Sequence, residues 1–359
     1  MATGGRPNIK DVARGAGVSV GTASRVLSGS SYPVRPSTRV RVLRAAAELD
    51  YFPSAVGRAL VRGETAVIGL IVHDISDPFF NIIARGAEDF AGEHGKLVVV
   101  CNSDRRPHKL VRYLERLRDF RVDAVILAGG ELQAPGHREE REKYLEQMER
   151  NGVAVVTIGR YARPGSSLVL DNAGGIRTLV DHLVGLGHRR IAHIAGVPGS
   201  SATIERLRAY EAALEAHGLP VDPSLVCDGD FGRQSGAHAA EAFMSAPHPP
   251  TAIIAANDEM AAGCIRALRR RGVRVPEDVS VVGFNDVPTA ADCEPPLTTI
   301  RLPLRHVGAR AVQMALEVRS GDQVASEEVA GELVVRQSTG PASRPPRRAA
   351  AESRLEGRP

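Results

Sequence analysis

Residues 18–29 read VSVGTASRVLSG and combine small side chains with one arginine, Arg25. Ser19 is a natural N-cap, so the pattern predicts a helix over about 20–27. Such a helix offers little to a core, but it can closely approach the base edges of DNA. An arginine there can form two parallel hydrogen bonds with a guanine, worth about 1–3 kcal/mol of discrimination between bases. The residues expected to face DNA are Val20, Gly21, Thr22, Ser24 and Arg25.

The preceding residues predict a helix that would support this segment. Asn8 can cap a helix whose first turn contains Asp11, and Gly17 then ends it because glycine tolerates the positive φ of a tight turn. Two short helices joined by such a turn form a helix-turn-helix, whose second helix enters the DNA major groove. The alternative is that 20–27 is simply a small-residue helix in a bundle.

A third helix is expected to begin at Pro36, a favourable first helical residue, and to run through TRVRVLRAAAELDY. Its predicted core residues are Val40, Leu43, Ala47 and Leu49. The arginines left for DNA phosphates are Arg39, Arg41 and Arg44.

The charge is unevenly distributed along the chain. Residues 1–64 contain ten Lys/Arg and four Asp/Glu, a net charge of +6, and residues 341–359 carry +3. The whole chain carries +4, so residues 65–340 carry −5. A basic head on an acidic body indicates that the head alone meets a polyanion.

Beyond residue 65, apolar runs alternate with helical patterns. The runs are AVIGLIV, KLVVVCN, VDAVILAG and VAVVTIG, followed later by RRIAHIAG, PTAIIAAND and VSVVGFND. Near-continuous apolar strands between helices predict parallel sheets that are buried on both faces. The two groups of runs indicate two successive α/β halves.

Several function classes find no support in the residue patterns. The cysteines, Cys101, Cys227, Cys264 and Cys293, are scattered without metal-ligand spacing and are expected to be reduced thiols. No apolar run approaches 18 residues and no secretory signal pattern opens the chain, so we expect a cytoplasmic protein that does not contact membranes. No P-loop, G-x-G-x-x-G spacing or nucleophile–base–acid arrangement stands out, so we expect no enzyme activity, no cofactor and no metal.

Motifs over essentially residues 8–340 resemble the LacI/GalR family of bacterial transcription repressors. In the head they are IKDVARGAGVSVGTASRVLSG and TRVRVLRAAAELDYFPSAVGRALVRGET. In the body they include IGLIVHDISDPFF, DNAGG, HLVGLGHRRIAHIAG, ERLRAYEAAL, AANDEMAAG, VSVVGFNDVP and PPLTTIRLP.

The resemblance implies a hinge helix over 54–62, which orders when two protomers meet on DNA. Leu60 matches a leucine that wedges into the minor groove and bends the duplex. This sequence departs from the family pattern at Ser54, at Gly57, which should weaken the hinge helix by about 1 kcal/mol, and at Arg35, where a serine usually caps the third helix. We therefore expect a hinge that orders less readily.

The resemblance also implies the overall architecture. An all-α helix-turn-helix head with its hinge helix (1–64) precedes an α/β body (65–340) of two doubly wound parallel-sheet subdomains, like a periplasmic binding protein. We place the first subdomain at 65–169 and 301–331, and the second at 170–300 and 332–340. The basic tail 341–359 is rich in Pro, Arg and Ala and should be disordered. The tail lacks the apolar heptads of the tetramerising helix that some family members carry, so a homodimer is expected.

A small-molecule effector is expected in the cleft between the subdomains, at the strand carboxyl ends. The positions that match effector-contacting residues of the family are Ile75, Phe79, Phe80, Arg160, Arg206, Phe231 and Asp258. Arg206 would grip effector oxygens, Phe231 would stack on the ligand and Asp258 would accept hydrogen bonds from it. Alternatively, Arg206 and Asp258 form a mutual salt bridge, and Phe79 and Phe80 are core residues.

The resemblance therefore implies a homodimeric repressor that binds double-stranded, near-palindromic operator DNA. We expect a sugar or sugar derivative as the effector, with a nucleoside or purine as the second choice, and both induction and co-repression stay open. A solute-binding protein of the transport class and an α/β enzyme acting on sugars or nucleotides are the other hypotheses. The basic head argues against the first, and the lack of a base beside a nucleophile argues against the second.

Overall fold

The structure is a computed structural model, and it describes residues 7–28, 32–52, 65–133, 137–322 and 324–342. Within these ranges no helix is both long and apolar enough to cross a membrane. The predicted hinge helix 54–62, with Leu60, Ser54 and Gly57, lies outside the described residues, as does most of the tail.

The head contains helices α1 (Ile9–Ala16), α2 (Val20–Leu27) and α3 (Pro36–Glu48). The predicted starts of the three helices and the predicted ends of α1 and α2 are confirmed, whereas α3 ends at Glu48, three residues before the predicted end at Tyr51. Asn8 and Asp11 form a capping box at the start of α1, and Gly17 adopts a left-handed φ of 62° after its end. The Ser19 hydroxyl accepts the N–H of Thr22 at 3.1 Å and caps α2.

The predicted core face of α3 is wrong. Val40 is 65% exposed, Leu43 is 50% exposed and Ala47 is also exposed, while Leu49 alone packs against the head core. The buried residues of α3 are Val42, Ala45 and Ala46. Both sets recur at helical spacing, so the period alone does not choose between them. The packing of α1 and α2 against α3 decides which face is buried.

The body alternates strands with helices. Its strands are β1 (Val67–Val72), β2 (Leu97–Asn102), β3 (Ala124–Ala128), β4 (Ala154–Ile158), β5 (Ser166–Leu170), β6 (Ile191–Ile194), β7 (Val226–Cys227), β8 (Ala252–Ala255), β9 (Ser280–Val282), β10 (Thr299–Arg301), β11 (Glu327–Val329) and β12 (Glu332–Val334). Its helices are α4 (Pro78–Glu93), α5 (Pro107–Asp119), α6 (His137–Arg150), α7 (Asn172–Gly185), α8 (Ser201–Ala216), α9 (Arg233–Ser245), α10 (Asp258–Arg270), α11 (Pro288–Asp292) and α12 (Leu304–Arg319).

In the described part of the body, the strands form two parallel sheets. The first has the order β11-β5-β4-β3-β1-β2 and the second the order β7-β6-β8-β9. Strands β10 and β12 pair antiparallel where the chain passes between the sheets. The predicted α/β class is confirmed, and all seven apolar runs contain strands. We use the names first and second subdomain for the parts proposed above.

One strand differs from the expectation of burial on both faces. Strand β2 lies at the edge of the first sheet, and its side chains Leu97, Val99 and Val100 are exposed, Leu97 to 62%. An edge strand has a neighbouring strand on one side only, so one row of its backbone groups is unpaired and its side chains on both faces are less covered than those of the central strands.

Candidate functional site

The carboxyl ends of strands from both sheets converge on a cavity between the two subdomains, here called the cleft. His73 follows β1 and Arg160 follows β4, whereas Phe231 follows β7 and Asn257 follows β8, and all four side chains line the cavity. The cavity holds about 680 Å³ of empty space including its open mouth. Open parallel sheets bind ligands at this edge, so the fold places the cleft where a ligand is expected.

Five of the seven predicted effector residues line the cleft. They are Phe79, Phe80, Arg160, Arg206 and Phe231. Ile75 does not line it; its backbone N–H donates to Asn102 Oδ1 at 3.0 Å in the loop after β1. Asp258 does not line it either, although its neighbour Asn257 does.

Phe79 and Phe80 open α4, whose first turn is capped by the Asp77 carboxylate. The two rings meet edge to face, with centroids 4.9 Å apart, and both side chains belong to the main apolar core. The core interpretation and the cleft interpretation therefore apply together. These rings can offer a ligand an apolar wall that packing already holds rigid.

Arg206 lies in α8 and is almost fully buried. Its Nε donates to Asn172 Oδ1 at 2.9 Å, its Nη1 donates to the carbonyl oxygen of Ala256, and its guanidinium lies 4.0 Å from the centroid of the Phe284 ring. Burial lowers the pKa of Arg206 to about 10, so the group stays charged at neutral pH. The guanidinium is thus held in one orientation at the cleft wall.

The two oxygens of Asp258 already have partners. Oδ1 accepts the hydroxyl of Thr299 at 2.6 Å and Oδ2 accepts the N–H of Val287 at 2.9 Å. Burial raises the pKa of this carboxyl to about 7. Among the described residues it forms no ion pair with Arg206. Asp258 ties α10 to β10 and to the loop before α11 and is fully buried, and its contact with an effector stays a prediction.

Arg160 crosses the mouth of the cleft. Its side chain is largely exposed, and its Nε donates to Glu205 Oε1 at 2.7 Å on the opposite subdomain. Asn172 Nδ2–H in turn donates a hydrogen bond to Glu205 Oε2 at 2.7 Å, and Asn172 Oδ1 accepts a hydrogen bond from Arg206 Nε–H. One hydrogen-bonded chain therefore connects the first subdomain with the buried arginine.

Several cleft residues were not found from the sequence. They are His73, Asp77, Arg105, Asn172, Asn257 and Asn285. The available signal was position, because Arg105 follows β2 and Asn285 follows β9 in the same way as the predicted residues follow their strands. His73 Nε2–H donates to the carbonyl oxygen of Gly130 at 3.1 Å, and burial lowers the pKa of His73 to about 4. This imidazole is therefore neutral at physiological pH.

The predicted DNA-facing residues lie on α2. Val20, Gly21 and Arg25 are exposed and Thr22 and Ser24 are half-buried. Ala23 and Val26 hold the opposite face in the head core. The Arg25 guanidinium lies 4.3 Å from the centroid of the Tyr32 ring. Leu60 lies outside the described residues, so its role stays a prediction.

No cluster of three or more His, Cys, Asp or Glu side chains suited to a metal ion occurs in the part of the chain that the structure describes. His188 is buried, and its ring nitrogens form hydrogen bonds with the hydroxyls of Thr251 and Ser280 at 3.0 and 3.1 Å, which gives it a structural role.

A helix-turn-helix head with an exposed second helix, joined to two parallel-sheet subdomains around a cleft, defines a DNA-binding regulator with a ligand-binding body. Residues 8–54 match the family described as "Bacterial regulatory proteins, lacI family", and residues 180–339 match "Periplasmic binding protein-like domain". The chain is 35% identical over 336 residues to the HTH-type transcriptional repressor CytR of Escherichia coli strain K12, covering 92% of this chain and 96% of CytR.

Two solved structures extend the comparison. The Lac repressor dimer bound to operator and the anti-inducer ONPF superposes with a TM-score of 0.83 at 29% identity, over 94% of this chain and all of that one. The transcriptional regulator CelR in complex with cellobiose gives a TM-score of 0.69 at 34% identity, over 93% and 100% of the two chains. The protein belongs to the LacI family, as the sequence motifs indicated. It is a DNA-binding transcriptional repressor rather than an enzyme.

Proposed function

We propose that the protein is a homodimeric repressor that binds a near-palindromic operator and is controlled by a sugar-like effector in the cleft. The observation that carries the proposal is the joint presence of an exposed small-residue helix in the head and a cleft lined by an oriented arginine and aromatic rings. The exposed helix can contact base edges in the DNA major groove, and the cleft can bind a small ligand with several hydroxyl groups.

On the DNA side, α2 would enter the major groove with its N-terminal end. Val20 and Gly21 allow close approach and apolar contact, while Thr22, Ser24 and Arg25 supply hydrogen bonds. Leu60 of each protomer would wedge into the minor groove at the operator centre. A two-fold symmetric dimer reads two half-sites, which is why we expect a near-palindrome. The Lac repressor relative is described as a dimer bound to operator, which supports this assignment.

The edge strand β2 supports the dimer. Leu97, Val99 and Val100 expose apolar side chains next to unpaired backbone groups. Such an edge is prone to uncontrolled association unless it is covered, so a specific partner surface is expected there. We place a second copy of this chain on it.

In the cleft, the fixed fork of Arg206 can bind neighbouring hydroxyl oxygens, and the rings of Phe79 and Phe231 can cover an apolar sugar face. The CelR relative is described as a complex with cellobiose, which favours a carbohydrate. A nucleoside or purine is the second candidate, because the half-buried ring of Phe231 could also stack on a flat base.

Effector binding would act through the two subdomains. The Arg160–Glu205 pair spans the cleft mouth, so a ligand that displaces or tightens it changes the angle between the subdomains. That angle sets the separation of the two hinges and hence DNA affinity. The coupling is reciprocal: operator changes effector affinity by the same factor by which effector changes operator affinity.

The test is selection of bound sequences from random duplexes at fixed salt, with wild type and Leu60→Ala. We expect a near-palindromic site in the wild type that is blurred or lost in the variant. Absence of any enriched sequence would refute specific DNA reading by this head. The selected operator then serves to screen sugars and nucleosides for release or retention of DNA.

A further inference from the structure

A second cavity adjoins the cleft on the side of the first subdomain, over the ends of β2 and β3. It holds about 420 Å³ of empty space including its opening. The two cavities share His73, Arg105, Gly130 and Leu132 in their walls. We call the second cavity the basic chamber. The two cavities therefore adjoin, and a substituent that passes between the four shared residues would reach from the cleft into the chamber.

The lining of the basic chamber is strongly cationic. Besides the four shared residues, it consists of Ser103, Arg106, Pro107, Leu110, His137, Arg138, Arg141 and Tyr161. Four arginines thus line one small space together with His137 and the neutral His73, and the lining residues that the structure describes include no carboxylate.

Two of these arginines already donate side-chain hydrogen bonds to protein acceptors. Arg141 bonds Glu131 at 2.9 Å and lies 2.8 Å from Glu142. Arg138 donates to the carbonyl oxygen of Ala162 at 2.6 Å and lies 3.9 Å from Glu131. They provide positive potential but have limited capacity for a further anion.

The other two arginines form no side-chain hydrogen bond with any described residue, although the Arg105 guanidinium lies near two carboxylates and 5.5 Å from the centroid of the Phe231 ring. Arg105 lies 3.8 and 3.9 Å from the carboxylates of Asp74 and Asp77, beyond hydrogen-bond distance in both cases. Arg106 is exposed and forms no ion pair or side-chain hydrogen bond with any residue that the structure describes. Because Arg105 lines both cavities, a group bonded to it lies at their junction.

Two further donors point to an anion. Pro107 begins α5, a helix of 13 residues whose N-cap residue Arg106 makes no side-chain capping hydrogen bond, and both residues line the chamber near the positive end of the helix. Nδ1 of His137 is buried, lies 3.9 Å from a carboxylate oxygen of Glu140 and has no hydrogen-bond partner within the described ranges. Guanidinium groups, a helix N-terminus and an imidazole on different elements suit a phosphate, which offers three oxygens, better than a carboxylate, which offers two.

We propose that the basic chamber binds the phosphate group of a phosphorylated sugar whose ring occupies the cleft. The inference rests on the proposed function, in which the cleft takes a sugar-like effector, and it adds the chemical class of that effector. Arg105 and Arg106 are the specificity-determining residues for the phosphate, while Arg206 binds the hydroxyl groups of the ring.

In the first experiment, inorganic phosphate is titrated into the full-length protein at constant ionic strength. The heat of binding and the thermal unfolding midpoint are measured. We expect saturable binding that falls about ten- to a hundredfold in Arg106→Gln, since a hydrogen bond between charged groups supplies that much affinity. Arg112→Gln removes an exposed arginine from the same helix and is the matched control, expected to bind like wild type. Equal affinity in wild type and Arg106→Gln, or no binding by wild type, would overturn the proposal.

The second experiment compares hexoses and pentoses with their phosphate monoesters. We expect at least one monoester to bind more tightly than both its parent sugar and inorganic phosphate, and to lose that advantage in Arg106→Gln while the parent sugar binds unchanged. If phosphate binds but no monoester exceeds it, the chamber is a free-phosphate site and the proposal is wrong. If sugars bind equally well with and without a phosphate group and the protein still recognises its operator, this inference is wrong and the proposed function stands. If the operator selection fails, the proposed function itself is refuted.

Discussion

Replacing Arg206 with lysine should destabilise the body even though the charge is kept. In the native protein the guanidinium serves two acceptors, Asn172 Oδ1 and the carbonyl oxygen of Ala256, while its plane lies over Phe284. A lysine ammonium is a point donor on a flexible stem and cannot reproduce this planar arrangement. At least one buried acceptor would therefore have no partner in the variant.

The magnitude follows from the interactions that a lysine cannot form. An unsatisfied buried acceptor costs about 1–3 kcal/mol, and removing a desolvated cation–π interaction costs roughly a further 1 kcal/mol. The burial that lowers the pKa of Arg206 also acts against a lysine ammonium, so its charge gives no compensation. We expect the free energy of unfolding to fall by about 2–4 kcal/mol in total.

The assay is urea unfolding of the full-length protein, with Arg208→Lys as the control. Arg208 lies on the same helix and is exposed, so its replacement should leave the unfolding midpoint unchanged. Operator binding below the unfolding transition should persist in both variants, because the head has its own core. Superimposable unfolding curves for Arg206→Lys and Arg208→Lys would refute the reasoning.

Three further predictions concern packing, pH and DNA reading. Gly86→Ala would place a methyl group well inside van der Waals distance of the carbonyl oxygen of Arg305 and should lower the free energy of unfolding by about 1–3 kcal/mol or more. Gly92 lies on the same helix with nothing within 4 Å of its Cβ position, so Gly92→Ala should raise the free energy of unfolding by about 0.5–1 kcal/mol. Thermal unfolding measures both changes. The pKa of Asp258, about 7 when folded and 3.8 when unfolded, means that the folded state holds an extra proton between these values. Its contribution to stability is therefore complete at low pH and is lost as the pH rises through that window, by up to about 1.4 kcal/mol per pH unit. Asp258→Asn removes the titrating group, so the difference in the free energy of unfolding between pH 5 and pH 7, measured with urea, should become smaller. Arg25→Gln should weaken the preference at one base pair of each half-site by about 1–3 kcal/mol in the duplex selection.

Each of these has a contrary result. Equal thermal midpoints for Gly86→Ala and Gly92→Ala would mean that α4 and α12 do not pack as closely as described. An unchanged slope in Asp258→Asn would show that the carboxyl titrates at its ordinary pKa. An identical selected motif for Arg25→Gln would remove Arg25 from base recognition and leave it a phosphate contact.

Much of the local structure was predictable. The cap at Asn8, the turn at Gly17 and the start of α3 at Pro36 depend on interactions between residues a few positions apart, so the sequence contains all the relevant information. The same holds for the apolar runs that became strands, because continuous β-branched and aliphatic residues suit a buried parallel sheet.

The errors arose where two local solutions were equivalent. On α3, the set beginning at Val40 and the set beginning at Val42 both recur at helical spacing. The helices that pack against α3 bury the second set and leave the first in solvent. Strand β2 was expected to be buried because its composition matches that of its neighbours, but its place at the end of the strand order exposes it.

The amino-acid sequence was sufficient to predict the class of elements, the basic head, the family and five of the residues that line the cleft. Which side chains meet in one cavity depends on tertiary packing and could not be read from the sequence. Asp258 and Asn257 are neighbours in the chain, yet the first bonds Thr299 and Val287 while the second lines the cleft. The reason is that the cleft is built from the ends of strands far apart in the chain, and the orientation of each strand end depends on sheet order and on where the chain crosses between subdomains.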